Sequence, residues 1–227
     1  MDAPSRGYSD QPPTLDSLEK VLRPFPVDAD APYLFLMSGL PGSGKTTVAQ
    51  QLATRYRALL LSLDEFLVSL FGPSHIIESP SARIQRVTAI REPLWAIARR
   101  ALNLNISVIL DDGFFTRESR AAALHLCTPP DSCRPPEMTV SPPHPIIVYC
   151  AAPGHLLNKR LAERSNRPAP DSHHISPDLL ASFTARFQPP CFDEGIEIVE
   201  VSSSSDDGSR KPLNCSNINS LNKEEAR

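Results

Sequence analysis

Apolar residues fall along this chain in short runs, separated by stretches where they recur at helical spacing. Five runs read as strands: Tyr33 to Met37, Ala58 to Phe66 with its acidic end, Ile106 to Asp112, Pro145 to Ala151, and Ile196 to Val201. Near-continuous apolar runs of this length are the pattern of parallel strands buried on both faces. Between them the period changes to that of helices. Val48, Leu52 and Tyr56 make one stripe, with Ala49 and Ala53 beside it. Ile84, Val87, Ile90, Leu94, Ile97 and Ala101 make a second, and Leu180, Phe183 and Phe187 a third. Arg117 to Leu126 and His155 to Ser165 read as further helices. Pro93 interrupts the second stripe and predicts a kink, or a new helix starting there. Ser176-Pro177-Asp178 reads as a helix start, with a capping serine, a proline in the first turn and an acid near the positive dipole end. Strands alternating with helices predict a three-layer α/β domain over residues 31–201.

The flanks break this pattern. Residues 1–30 are polar and proline-rich and read as a flexible arm, docked on the domain or free of it, with one short helix from Thr14 to Arg23 striped by Leu15, Leu18 and Leu22. Residues 128–145 hold Pro129, Pro130, Pro135, Pro136, Pro142, Pro143 and Pro145. That density excludes regular structure and predicts an extended surface insertion, either a spacer or a ligand for a partner protein. From Ser202 to the end the composition is Ser, Asp, Asn, Lys and Glu, which predicts a disordered tail at 202–227.

The candidate chemistry begins where the first strand meets the first helix. Gly39-Leu40-Pro41-Gly42-Ser43-Gly44-Lys45-Thr46-Thr47 fits G-x-x-x-x-G-K-[ST]. Strand, glycine-rich loop and helix together form a phosphate-binding loop. Glycines let successive backbone N–H groups curl round a phosphate, and the helix adds its positive end. Lys45 is expected on the β- and γ-phosphates and Thr46 on Mg²⁺. This context makes the fold a P-loop NTPase fold with a five-stranded, mainly parallel sheet, and ATP or GTP the expected ligand. No N-K-x-D-type guanine signature stands out, which favours ATP.

Ligands of open α/β sheets sit at the carboxyl ends of the strands. Asp64 falls there and is a candidate general base toward a hydroxyl; a helix cap is its plainer role. Asp111 and Asp112 end the third strand, as the Mg²⁺-side acid of P-loop proteins does. Asp111, nearer the strand, is the chosen metal-side residue, although the spacing alone leaves both open. Arg160, Arg164 and Arg167 lie on one helix face bordering a polar connection, Asn166 to Ser176. Closure of that segment is expected to bring guanidinium groups to the phosphates. Arg117 and Arg120 start the helix beyond the third strand, and Arg120 is a candidate for holding acceptor or phosphate. His173-His174 reads as a surface pair rather than a metal site. The segment Leu67 to Arg91 is expected to build the acceptor pocket.

Composition narrows the setting. The chain has 227 residues and a formal net charge of −3, so no global basic field points to nucleic acid. The five cysteines form no C-x-x-C pair, which predicts reduced thiols in a cytoplasmic or nuclear setting, the cytoplasm being the chosen one, rather than a disulfide frame or zinc site. No apolar run reaches membrane-spanning length, and residues 1–10 carry no apolar signal core.

Taken together, Gly39–Thr47, Leu63-Asp64-Glu65-Phe66, the run from Leu110 to Arg120, Arg160–Arg167, and Phe187-Gln188-Pro189-Pro190 with Asp193-Glu194-Gly195 resemble a known group. It is that of the small P-loop kinases: polynucleotide kinase, zeta toxin and chloramphenicol phosphotransferase, and above all single-domain members labelled AAA-type ATP-binding proteins. The resemblance implies ATP as phosphate donor, Asp64 as the base that activates a hydroxyl, and a lid arginine on the phosphates. Polynucleotide kinases carry Asn after the third strand, where this chain has Gly113-Phe114. A ring-forming motor usually has an Asp-Glu pair where this chain has Asp111-Asp112. The leading expectation is therefore an ATP-dependent kinase acting on a hydroxyl of a small molecule or nucleotide. The alternatives are a nucleotide-binding switch or weak ATPase and, less favoured, a polynucleotide 5′-hydroxyl kinase.

Overall fold

The computed structural model of the chain describes residues 18–19, 22–27, 29–72, 79–127, 141–166 and 175–202. In these, β1 (Tyr33–Ser38), β2 (Leu59–Ser62), β3 (Val108–Asp111), β4 (His144–Ala151) and β5 (Glu197–Ser202) form one sheet in the order β2-β3-β1-β4-β5. Each neighbouring pair is parallel. The helices are α1 (Lys45–Tyr56), α2 (Leu63–Phe71), α3 (Pro80–Asn103), α4 (Arg117–Ala123), α5 (Gly154–Asn166) and α6 (Pro177–Arg186).

β1 shows why three layers form. It is buried throughout, and its side chains alternate between two cores. Leu34 and Leu36 join Leu67 of α2, Ile90, Leu94 and Ala98 of α3, and Ala123 of α4. Tyr33, Phe35 and Met37 join Val48, Leu52 and Tyr56 of α1 on the opposite face. Each fully buried side chain of this size contributes about 1.5–3 kcal/mol relative to exposure. That exceeds local propensity differences and fixes the sheet's period-two register.

Several expectations are refined. The flexible-arm reading of residues 1–30 changes in its second half. Leu18, Leu22 and Phe25 are buried against α1, and the hydroxyls of Tyr56 and Tyr33 donate to the carbonyls of Phe25 and Pro26 at 3.0 and 3.2 Å. The run ending in acid is two elements rather than one. β2 stops at Ser62, whose side chain caps α2 by accepting from the Glu65 N–H, so Asp64 lies in a helix's first turn. Pro93 does not divide its helix, because α3 is one element of 24 residues with Pro93 inside. Ile90, Leu94 and Ala101 of the expected stripe, joined by Ala98, stay on the sheet across the proline, whereas Ile84 and Ile97 are exposed. Ser176 caps α6 as expected, accepting from the Leu179 N–H.

β4 starts at His144 and so takes in the last residues of the expected insertion. Pro145 pairs with Leu34 of β1, while β5 begins pairing one residue later, at Ile146. The missing proline N–H thus falls at a strand start, where a sheet tolerates it. Of the rest of the insertion, 141–143 carry no regular structure and 128–140 lie outside the described residues, as do the tail beyond 202 and the first part of the arm. Among the described cysteines, Cys127 and Cys150 are free, but Cys191 is disulfide-bonded, which corrects the expectation of reduced thiols throughout. No helix among the described residues is long and apolar enough to cross a membrane.

Candidate active site

The loop between β1 and α1 has the backbone that its glycines permit. Gly39 has φ 145°, and a Cβ there would stand 2.6 Å from the Cys150 carbonyl oxygen of β4. Gly42 has φ 82°, and a Cβ there would press on Leu161 of α5 at 3.2 Å. Any side chain at these positions therefore meets both an unfavourable φ and a neighbour. Burial pushes the Cys150 thiol up to about 12, which keeps it protonated at neutral pH. Gly44 precedes the first turn of α1 without a side-chain cap, which leaves the helix N–H groups directed at the loop's interior. Lys45 Nζ donates to the Leu40 carbonyl at 3.0 Å, holding the lysine over its own loop. Ser43 Oγ is buried and, among the described residues, has no hydrogen-bond partner. An orphaned hydroxyl inside a loop of N–H donors suits an oxyanion ligand.

The two aspartates that end the β3 run have separate surroundings. Thr46 Oγ1 donates to Asp111 Oδ2 at 2.8 Å, joining the first turn of α1 to the tip of β3. Asp112 instead accepts two bonds from Arg91 of α3, at 2.6 Å from Nε and 2.9 Å from Nη2. Burial works against the Arg91 charge, but these bonds and the Asp112 charge outweigh it and hold the guanidinium above its ordinary range. Burial pushes the Asp111 carboxyl above the usual carboxylate range. Lys45 and the Thr46 hydrogen bond pull it down without cancelling that effect, and the Asp64 charge adds to it.

Mg²⁺ fits this donor set. Thr46 Oγ1 and the poorly compensated Asp111 carboxylate are hard oxygens side by side, and Mg²⁺ takes one or two such groups together with phosphates and water. Among the described residues no cluster of three His, Cys, Asp or Glu stands ready to hold a metal alone, so phosphate oxygens would complete the shell. A cost follows for the empty protein. A carboxyl whose folded pKa lies above its unfolded value gives stability that is full below the unfolded pKa and is lost as pH rises through the folded one. Asp111→Asn is therefore expected to raise Tm of the nucleotide-free protein at neutral pH, with the gain shrinking toward acid. Thermal unfolding at a series of pH values checks this, and an Asn variant less stable than wild type at pH 7 contradicts it.

Asp64 is exposed in the first turn of α2. β2 and β3 are neighbours with Ser62 opposite Asp111, so Asp64 starts two residues beyond the Asp111 level. Its charge acts on both Asp111 and Asp112.

The turn after β3 is pinned from three sides. Phe114 has φ 35°, a strained value for an aromatic residue. Its carbonyl accepts from Ser38 Oγ at 3.2 Å and from Arg120 Nη1 at 3.1 Å. The Gly39 N–H donates to the Gly113 carbonyl. Arg120 corrects an expectation. Its side chain is 1% exposed, with Nε and Nη2 on Glu194 at 2.7 and 2.6 Å and Nη1 also on the Gln188 carbonyl at 2.8 Å. Donors committed in this way leave little for phosphate or acceptor. Arg120 positions the turn instead, and the segment Gln188–Glu194 is the clamp that holds it. Arg117 is exposed and pairs with Asp193 at 2.8 Å, a surface contact that contributes little.

Of the lid-side arginines, Arg160 reaches the loop, donating from Nη1 to the Gly42 carbonyl at 3.3 Å. Arg164 is exposed in the last turn of α5. Arg167, His173 and His174 lie outside the described residues. Three side chains on this edge had no individual role in the sequence, where Arg83 and Arg91 fell within the expected acceptor-pocket segment and Phe183 in an apolar stripe. Arg83 and Arg91 lie eight positions apart on α3, and Phe183 of α6 stacks on Phe115 with ring centroids 5.3 Å apart. All three sit at unremarkable helical positions with no motif around them.

Residues 34–190 match the model of an AAA domain family, AAA_33. The chain belongs to that family. The match runs from β1 through the loop, both acid-bearing strand tips and α6 to the start of the clamp. The AAA_33 core of this chain also shares its fold with solved structures. A provisionally assigned kinase from Chloroflexus aurantiacus superposes with a TM-score of 0.58 at 24% identity, over 77% of this chain and 90% of that one. A sugar kinase from Janibacter gives 0.53 at 16%, over 76% and 86%. Kti12 from Chaetomium thermophilum, solved with ADP-AlF3, gives 0.53 at 18%, over 77% and 91%. At these identities the likeness is one of fold.

Proposed function

We propose that this protein is an ATP-dependent phosphotransferase that moves the γ-phosphate of ATP to a hydroxyl of a small molecule or nucleotide. The observation that carries this reading is the 2.8 Å contact between Thr46 and Asp111, with Asp64 close enough to load its charge on the same carboxylate. A switch or simple hydrolase needs the first pair. A hydroxyl kinase needs the Asp64 carboxylate as well.

In this scheme the loop N–H groups, Ser43 and Lys45 hold the polyphosphate, with Lys45 moving off the Leu40 carbonyl. Thr46 and Asp111 would hold Mg²⁺, which would supply neutralisation of phosphate charge. The acceptor oxygen bonds to the γ-phosphorus as the bond from that phosphorus to the β,γ-bridging oxygen breaks. The hydroxyl proton passes to Asp64, and ADP leaves. Arg160 and Arg164 stabilise charge on the transferring group. The acceptor is a small molecule or nucleotide rather than a polynucleotide end, in keeping with the near-neutral chain.

The test is a metabolite-library screen with γ-labelled ATP, including an oligonucleotide with a free 5′ hydroxyl. Label on at least one small hydroxyl compound is the expected result. Slow phosphate release that no addition stimulates would favour a switch or weak ATPase, and label on the oligonucleotide would favour a polynucleotide kinase. Lys45→Ala should weaken ATP binding on the order of 100-fold, the loss of one charge-assisted phosphate contact. Unchanged affinity by calorimetry would remove the phosphate-loop assignment.

A further inference from the structure

Two guanidinium groups share one aromatic face at this edge without a carboxylate partner among the described residues, and one of them, Arg83, feels the Asp64 charge. Arg55, Arg91, Arg117 and Arg120 are all in ion pairs. Among the described residues, no carboxylate lies within ion-pair distance of Arg83 or Arg186. Both instead approach the ring of Phe183, at 5.0 and 5.5 Å from its centroid. Phe183 is itself buried and braced by the parallel ring of Phe115.

The arrangement is costly as it stands. Arg83 is half-buried, and its pKa is lowered first by that burial and then by the charge of Arg186, with Asp64 acting in the opposite sense. A desolvated charge is ordinarily paired, and like charges ordinarily separate. Contact with one aromatic face offsets only part of this. Three elements converge to make the corner: the first turn of α3, the last turn of α6 and, through Asp64, the first turn of α2. Arg186 spends one donor, Nε, on the Ser182 carbonyl at 3.2 Å, and the remaining donors of the two guanidinium groups, with Arg83 in the field of the candidate base, are what an anionic ligand requires, since forked donors fit a phosphate or carboxylate.

We propose that Arg83 and Arg186 bind an anionic group of the acceptor, so that the acceptor is a small hydroxyl compound bearing a phosphate or carboxylate. This deepens the proposed kinase function and rests on it. The pair fixes the charged end of the acceptor and leaves its hydroxyl toward Asp64, which sets orientation as well as affinity. Two arginines match one compact anion. A polynucleotide would call for an extended basic track, which a chain of net charge −3 does not advertise.

The test uses the full chain loaded with Mg²⁺ and a non-hydrolysable ATP analogue, so that the γ-phosphate position is already filled. Inorganic phosphate and acetate are titrated separately while the arginine Nε–H resonances are followed by NMR. Saturable shifts at Arg83 and Arg186 are expected, and the tighter of the two anions identifies the acceptor's charged group. Arg83→Gln and, independently, Arg186→Gln should each weaken that binding by roughly tenfold or more, with analogue affinity unchanged. Arg186 is exposed, so its variant tests the proposal even if Arg83→Gln perturbs packing. No saturable binding of either anion, or variants that bind as wild type does, would overturn it. Analogue affinity is measured first on the same sample, and its failure would bear on the kinase reading instead. The anion titration repeated on Lys45→Ala would then still decide the arginine pair.

Discussion

Asp64→Asn is expected to lower kcat for phosphoryl transfer by roughly 10²–10⁴-fold, the usual contribution of a positioned general base, and to leave the ATP dissociation constant close to wild type. The separation follows from where the residue sits. Asp64 lies on α2, beyond the tip of β2, and contacts to nucleotide are expected from α1 and the loop before it. Its exposure means that the substitution leaves no buried charge and costs little stability. Asn also keeps the volume and the place near the positive end of α2, so the helix start survives with Ser62 as its cap. Removing the negative charge also relieves Asp111, whose carboxyl Asp64 helps to push up. Slightly tighter Mg²⁺-nucleotide binding is therefore compatible with lost transfer. Calorimetry for nucleotide and a single-turnover transfer assay separate the two. Wild-type transfer by the Asn variant would return Asp64 to its plainer role as a first-turn acid.

What the chain's pattern revealed, and what it hid, divides along physical lines. The phosphate loop was legible because its chemistry is backbone chemistry, and only glycines at fixed spacing give the φ values found at Gly39, Gly42 and Gly44. The sheet was legible because strands buried on both faces leave continuous apolar runs. Asp111 and Asp112 were visible as a pair but not as individuals. Their division follows from Arg91, which stands on a helix far along the chain and reaches only Asp112. Arg120 was misread for a related reason. An arginine opening a helix at the ligand edge looks the same whether its partner is a phosphate or a protein carboxylate, and here the partner is Glu194, 74 positions on. Phe183 was legible as a buried stripe residue, but the role of Arg83 was not, because it lies in meeting Phe183, Arg186 and Asp64 across three helices. The motif Phe187-Gln188-Pro189-Pro190 with Asp193-Glu194-Gly195 was noticed only by resemblance, and the structure gives it a mechanical reason. Gln188 binds the turn after β3 through its N–H, its carbonyl and its side chain.

The second large effect is expected from that clamp. Arg120→Met should destabilise the domain by about 3–5 kcal/mol, because it strands the Glu194 carboxylate, 4% exposed, without its cation. The Cys191 N–H still donates to Glu194 Oε1 at 2.9 Å, which satisfies one lone pair and does not replace a bidentate guanidinium. Glu194→Met alone strands the guanidinium and should cost a similar amount. The double substitution, Arg120→Met with Glu194→Met, removes both charges from a buried position and should recover much of the loss, as replaced buried pairs commonly do. Urea unfolding of the four proteins gives the coupling energy directly. Function then supplies an independent reading. Arg120 also holds the Phe114 carbonyl, which Ser38 shares, and this contact keeps Phe114 in its strained turn against the end of β1. A double variant that regains stability should still lose activity, since the turn that carries Asp111 and Asp112 toward the loop is no longer held. Were the double variant as active as wild type, the clamp would serve stability alone. Were Arg120→Met as stable as wild type, Glu194 would have to find solvent or another cation, and the description of this buried pair would be wrong.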